Sequence, residues 1–375
     1  MTTSVSTEKR EERWLASSME LSGGWSSDLI WCGDDLWIAW ATCEDPEPDM
    51  VLSHDKTWVL KPEFTLEDWR AISAEIKFVI SVGRVTNDGI SDTREISRCR
   101  STTSGFSLIS VPRRSAPGIV WEELRDGNSV ILADLGDGIV KIVSEAPGAK
   151  LGLRATSDSR GNLKAVWQQW SDTKTNNHTA PRIVLSSFGC LEDSPTEEIT
   201  LNSDDRSAWA PALATDPDGG TWCAWDAWDG TAYHVFARFA PAGQPWGPPV
   251  QASNPDNAKG YLNFGVDIIA DSERAWVVWT RCTEWGVINH RLNHMRSLHS
   301  RILSVTDSGT LQIDTPPGKP VHGEYGALPI QSVPFLYAQE PEFMNPQNPR
   351  ICLDGDGNAV LFYRHFRRSI GIRDF

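Results

Sequence analysis

The chain has 375 residues, with 50 acidic against 35 basic side chains and a net charge of −15. That balance opposes a broad phosphate-binding surface, so nucleic acid and anionic membrane are excluded as partner classes. No apolar run approaches bilayer length, the polar start has no apolar signal core, and the seven cysteines are scattered without a C-x-x-C pair, so a reducing cytoplasm is the expected location.

In chain order, residues 1–12 read as a flexible tail and residues 13–22 (RWLASSMELS) as a strand without a local partner. Residues 33–40 (GDDLWIAW) open a line that recurs: an acidic turn, a run of small or β-branched residues ending in an aromatic, then a polar pair. Residues 66–76 form the one short helical candidate. Residues 75–82 (EIKFVISV) predict a worn blade, with residues 94–100 and 105–111 as further strands. Residues 118–124 (GIVWEEL) keep the second half of the line, and residues 158–170, 216–228, 271–282 and 354–366 repeat it in full. Residues 281–301 and 319–345 read as insertions, the second a candidate lid that carries His322, Glu324, Tyr325, Tyr337, Glu340 and Glu342. Residues 369–375 supply one last strand.

The anchors Trp40, Trp121, Trp167, Trp225, Trp279 and Tyr363 are spaced by 81, 46, 58, 54 and 84 residues. Strand repeats of this length predict an all-β fold, a single β-propeller of four-stranded blades over residues 1–375, with seven blades favoured over six. Trp37 with Trp40, Trp222 with Trp225 and Trp276 with Trp279 stand three apart, which puts a large ring on each side of one strand. Both faces of each sheet must then be covered, as blades cover one another. A strand at residues 13–22 would complete the last blade and leave no open edge.

The polar pairs after the anchors are expected to meet on one rim, called the upper face here. They are Ala41 and Thr42, Glu122 and Glu123, Gln168 and Gln169, Asp226 and Ala227, Thr280 and Arg281, and Arg364 and His365. They differ between blades while the anchors do not. Glu122, Asp226 and His365 are the candidate catalytic residues, because paired carboxylates and an imidazole suit proton transfer. Arg281 and Arg364 offer planar forks, Glu123 and Gln168 polar contacts, and Trp25, Trp209, Tyr261, Trp170 and Trp228 stacking surfaces for a ligand. His290 and His294, four apart as on a helical turn, are candidate ligands for a divalent metal, with His299 nearby. No other cofactor is indicated. The acids of the turns, Asp158, Asp216, Asp271 and Asp354, are expected to bind their own backbone.

Residues 208–238 also carry a family likeness. They resemble the propeller region of bacterial proteins that bear, further along, a metal-dependent PHP-like domain. Those propellers show a W-D-x-Y-x-x-G-x-Y-D-V line, followed here by Trp225, Asp226, Trp228, Tyr233 and Val235, with Trp228 replacing Tyr, His234 replacing Asp and Gly230 standing one place ahead of the pattern's Gly. Trp276, Trp279, Trp285 and Gly286 extend the match within residues 154–364. The resemblance implies the fold and a ligand-facing role for blade loops. The metal domain has no counterpart in this sequence, so its chemistry is not carried over.

The resulting expectation is a monomeric or weakly self-associating propeller that binds a small polar ligand or saccharide at one central, asymmetric funnel. The alternatives are an enzyme using the same carboxylates, His and Arg, as a lyase, hydrolase or tailoring catalyst of secondary metabolism, and a protein-interaction scaffold.

Overall fold

A computed structural model describes residues 24–44, 77–100, 105–125, 128–170, 181–189, 198–202, 206–230, 232–253, 262–288, 291–306, 309–314, 342–353 and 359–369. It divides into two compact units, Met1–Arg100 and Ser101–Phe375. Among the described residues there is no helix; every regular element is a strand. The helical candidate at residues 66–76, the strand expected at residues 13–22 and nearly all of the candidate lid lie outside the described residues.

The first unit is one antiparallel meander of β1 (Gly24–Cys32), β2 (Asp35–Glu44), β3 (Lys77–Thr86) and β4 (Gly89–Arg100). Residues 75–82 therefore do not start a blade of their own. They belong to the third strand of the blade anchored by Trp40, because Phe78, Ile80 and Val82 stand opposite Cys43, Ala41 and Ala39 and join them on one apolar face. The long gap between Trp40 and Trp121 reflects an insertion between β2 and β3.

The second unit begins with β5 (Phe106–Ile109), β6 (Gly118–Arg125), β7 (Asn128–Asp134) and β8 (Val140–Ser144), a meander in that order. The next is β9 (Lys150–Ser157), β10 (Leu163–Gln169), β11 (Arg182–Phe188) and β12 (Ile199–Thr200). A third comprises β13 (Ala208–Thr215), β14 (Thr221–Trp228), β15 (Tyr233–Ala240) and β16 (Val250–Gln251), and a fourth β17 (Leu262–Ala270), β18 (Arg274–Ile288), β19 (Arg291–Val305) and β20 (Leu311–Ile313). The hairpin of β21 (Glu342–Leu353) and β22 (Ala359–Ser369) follows. The first strands β5, β9, β13, β17 and β21 stand side by side in chain order. Repeated four-stranded meanders packed in series through their first strands are the blades of a β-propeller.

The aromatic spacing has the packing consequence expected of it. Trp225 lies with Val166, Ile183 and Leu185 of the preceding blade, whereas Trp222 lies with Val266, Ile268 and Trp279 of the following one. Trp167 likewise packs on Val120 and Ile131 of the blade before it. The anchors thus fill one gap between blades each, and the residues three earlier fill the next.

The turn acids also act as expected where described. Asp216 accepts from the Gly220 N–H (2.7 Å) and the Trp222 Nε1 (3.1 Å), and Asp158 accepts from the backbone of Arg160 (2.9 Å) and Asn162 (2.8 Å). Asp271 does the same for Glu273 and Arg274, both at 2.8 Å. Each carboxylate stands in for a missing backbone acceptor in its turn.

One element differs in kind from its reading. Residues 281–301 are not a loop but lie in the long hairpin of β18 and β19, each 15 residues. His294 pairs with Trp285 across that hairpin, and His290 lies outside the described residues.

Candidate functional site

The upper face of the second unit is set by a repeated kink. The innermost strands β9, β13 and β17 each carry a bulge opposite the anchor of the next strand, at Gly152 (φ 62°), Ala210 (φ 46°) and Gly265 (φ 65°). Glycine takes this left-handed conformation freely, whereas Ala210 carries a cost on the order of 1–2 kcal/mol. That strain sits beside Trp209, and the bulge separates Trp209 from Ala212 in the pairing with β14.

Several of the residues after the anchors are buried instead of forming a solvated rim. Glu122 is fully buried, and Asp226, Gln168 and Glu123 are 2%, 5% and 8% exposed. Strand alternation explains their two roles. The residue two beyond an anchor shares its face and caps its indole: Trp121 Nε1 donates to Glu123 Oε2 (3.1 Å), and Trp167 Nε1 donates to Gln169 Oε1 (2.8 Å). Arg125 Nε also donates to Glu123, at 2.5 Å. In the β17–β20 blade Asn263 takes over the cap, accepting from Trp279 Nε1 at 2.9 Å.

The residue directly after the anchor faces the other way, toward the following blade. Gln168 is the connector between two blades: with its amide oxygen turned to the indoles, it accepts from Trp170 Nε1 (2.9 Å) and Trp209 Nε1 (3.1 Å). Tyr233 stands between two tryptophans, its ring centroid 5.1 Å from that of Trp209 and 5.0 Å from that of Trp228. All three rings are partly exposed. The structure therefore brings Gln168, Trp170, Trp209 and Trp228 together, and adds Tyr233.

Asp226 lies under this cluster. Its carboxyl faces the backbone N–H of Gly265 in the following blade, and Oδ1 is buried with no hydrogen-bond partner. Burial pushes the carboxyl well above the ordinary carboxylate range, and the charge of Asp226 in turn helps to raise Tyr233 after burial itself. Between the ordinary value of 3.8 and this raised value, the folded protein holds a proton that the unfolded chain has released. The contribution of Asp226 is therefore full below the ordinary value and declines as pH rises through that window. Asp226→Asn is expected to remove the decline, so its melting temperature should exceed that of the wild type by more at pH 8 than at pH 4. Parallel melting curves at the two pH values would show that the carboxyl is not the titrating group.

Glu122 engages a different set. It accepts from Ser129 Oγ (2.7 Å) and lies beside Lys150, which is fully buried and donates through Nζ to the carbonyls of Ser129 (2.6 Å) and Ala146 (2.5 Å). Burial lowers Lys150, and Glu198 and Glu122 offset it. His299 stacks on Trp279 at 5.9 Å and is held down to about 3 by burial and by Arg281 and Arg301, so it is neutral at pH 7.

Trp25 lies in β1 of the first unit, beside the bulge between Gly24 and Ser26. Arg364 and His365 lie in β22, opposite Gln347 and Pro346. Tyr261 is outside the described residues. Among the described residues no three His, Cys, Asp or Glu side chains are grouped to hold a metal ion, and no helix is long and apolar enough to cross a membrane.

No family model matches the chain, and no curated protein does. Solved structures do show likeness. The GH93 α-L-arabinofuranosidase of Fusarium graminearum, solved with arabinobiose, aligns at 10% identity and a TM-score of 0.41 over 92% of this chain and 93% of its own. The α-L-arabinanase of Penicillium chrysogenum aligns at 11% identity and 0.38, covering 78% and 93%. A puromycin-hydrolyzing peptidase of Mycobacterium tuberculosis aligns at 13% and 0.45, covering 92% of this chain but 46% of the peptidase. At these scores the blade assignment rests on the chain's own sheet order.

Sequence reading missed Asn263, Lys150 and Tyr233 as parts of this region. Tyr233 had a signal, since it stands within a few residues of an anchor line. Lys150 and Asn263 had none, because only strand pairing carries them to the end of the neighbouring strand.

Proposed function

We propose that the second unit binds a small polyhydroxylated ligand, in the saccharide class, on the upper face around Trp209, Tyr233 and Trp228. The observation that carries this reading is the partly exposed aromatic group over a buried carboxyl whose Oδ1 has no protein partner. Sugars present an apolar ring face and a rim of hydroxyls, which suit aromatic surfaces beside a few fixed polar groups. Gln168 holds the Trp209 indole in place, and burial shifts the Asp226 carboxyl toward its protonated form, which offers a hydroxyl donor as well as an acceptor.

The test is titration of a panel of neutral and acidic oligosaccharides, followed by tryptophan fluorescence. Trp209→Ala is expected to weaken binding at least about tenfold, equivalent to 1.4 kcal/mol, while lowering stability by less than the anchor substitution discussed below. Unchanged binding would remove the aromatic group from the site. A second reading, hydrolysis or elimination with Asp226 as proton donor, is favoured by its raised carboxyl. It would show as product release from a bound oligosaccharide that is lost in Asp226→Asn while binding persists.

A further inference from the structure

The register of one blade fixes what lies beside Asp226. Asp226 stands directly opposite Trp209 across β13 and β14, and Trp228, two residues on, stands opposite Tyr233 across β14 and β15. Opposite residues of antiparallel strands, and residues two apart on one strand, point to the same side of a sheet. The carboxyl and the three rings therefore share one face, and the rings form a continuous aromatic surface with centroids 5.1 and 5.0 Å apart.

This carboxyl differs from three others in the unit by having no side-chain cation among the described residues. Glu123 has Arg125 at 2.5 Å, Asp267 has Arg350 at 3.9 Å, and Glu122 lies beside Lys150. What offsets the burial of Asp226 is backbone N–H, from Gly265 and from its own residue, and Oδ1 is left with no hydrogen-bond partner. Trp209, Tyr233, Val235 and the Gly265 N–H face it, and the one titratable group among them, Tyr233, is raised above its ordinary value of 10.0 by burial and by Asp226.

A cation is drawn to the negative face of an aromatic ring, most strongly that of Trp, and an ionised carboxylate beneath the rings adds to the pull. We propose that the saccharide of the upper face carries a free amine, and that Trp209, Tyr233 and Trp228 receive its ammonium group while Asp226 serves as its counter-ion. This rests on the saccharide reading above. A bound ammonium group favours the ionised carboxylate, so binding should release to solvent the proton that burial favours on Asp226.

The experiment titrates the full chain by calorimetry with oligomers of glucosamine, their N-acetylated counterparts, and trimethylated oligomers whose charge is permanent. Both charged series are expected to bind tenfold or more tightly than the N-acetylated one. Asp226→Asn keeps the shape and removes the charge, and should bring all three to the same affinity, with folding checked by thermal melting. Tyr233→Leu keeps an apolar side chain between the two indoles but removes a π face, and should reduce the preference. For the trimethylated oligomer, binding heats in buffers of different ionisation enthalpy between pH 4 and 8 should show proton release in the wild type and none in Asp226→Asn.

If charged and N-acetylated oligomers bind equally, the ammonium subsite is overturned and the saccharide reading stands. If none of them and no neutral oligosaccharide binds, both fall. A preference that persists in Asp226→Asn, or binding without proton release at any pH in that range, would mean that the chain's net charge of −15 attracts the cation, and would overturn the assignment.

Discussion

Trp225→Ala is expected to cost roughly 3–5 kcal/mol of stability, the range for truncating a large buried aromatic. The indole is 2% exposed, stacks on Phe236 with centroids 6.2 Å apart, and fills the gap against Val166, Ile183, Leu185 and Leu201 of the preceding blade. Because the side chains around it come from two sheets held by their own ladders, the cavity cannot close by a local shift. Chemical denaturation should show a fall in midpoint far larger than for Trp209→Ala, whose ring is partly exposed. Equal losses from the two would mean that Trp209 is a core residue and that the aromatic group is structural.

Lys150→Met should be nearly as costly. Lys150 is fully buried, and removing it takes a cation from beside Glu198 and the buried Glu122 and frees the carbonyls of Ser129 and Ala146. Removing one member of a buried charged group costs about 3–5 kcal/mol, whereas replacing both by neutral groups costs much less. The double substitution Glu122→Gln with Lys150→Met should therefore recover more than half of the loss, as read from denaturation midpoints. Recovery would assign Glu122 to the seam between blades. No recovery would mean that the lysine acts through its carbonyl contacts alone.

The pair of substitutions also separates two carboxylates that look alike in the repeat. Glu122 and Asp226 both follow a tryptophan anchor directly, and their equivalence suggested a common role. Their surroundings differ. Glu122 meets a serine and a lysine, whereas Asp226 meets a backbone N–H and aromatic rings, with one oxygen left over. The leftover oxygen is what makes Asp226 the stronger candidate for chemistry.

The sequence by itself determined the fold class, because recurrence of acidic turn, short apolar run and aromatic is local and periodic, and rings three apart on a strand demand cover on both faces. It also marked Trp209, Trp228, Gln168 and Asp226, which stand at fixed offsets from the anchors. The tertiary structure decided which blade a strand joins: residues 75–82 read alone as a new blade, and only pairing along β2 shows that residues 77–82 belong to its third strand. It likewise decided that residues 291–301 are strand, since a long antiparallel partner satisfies their backbone where sequence showed only His, Asn and Arg. The meeting of Asp267 and Arg350 could not be read in advance. Each lies in an innermost strand, far from the other in sequence, and only the packing of successive blades carries the two positions to one place.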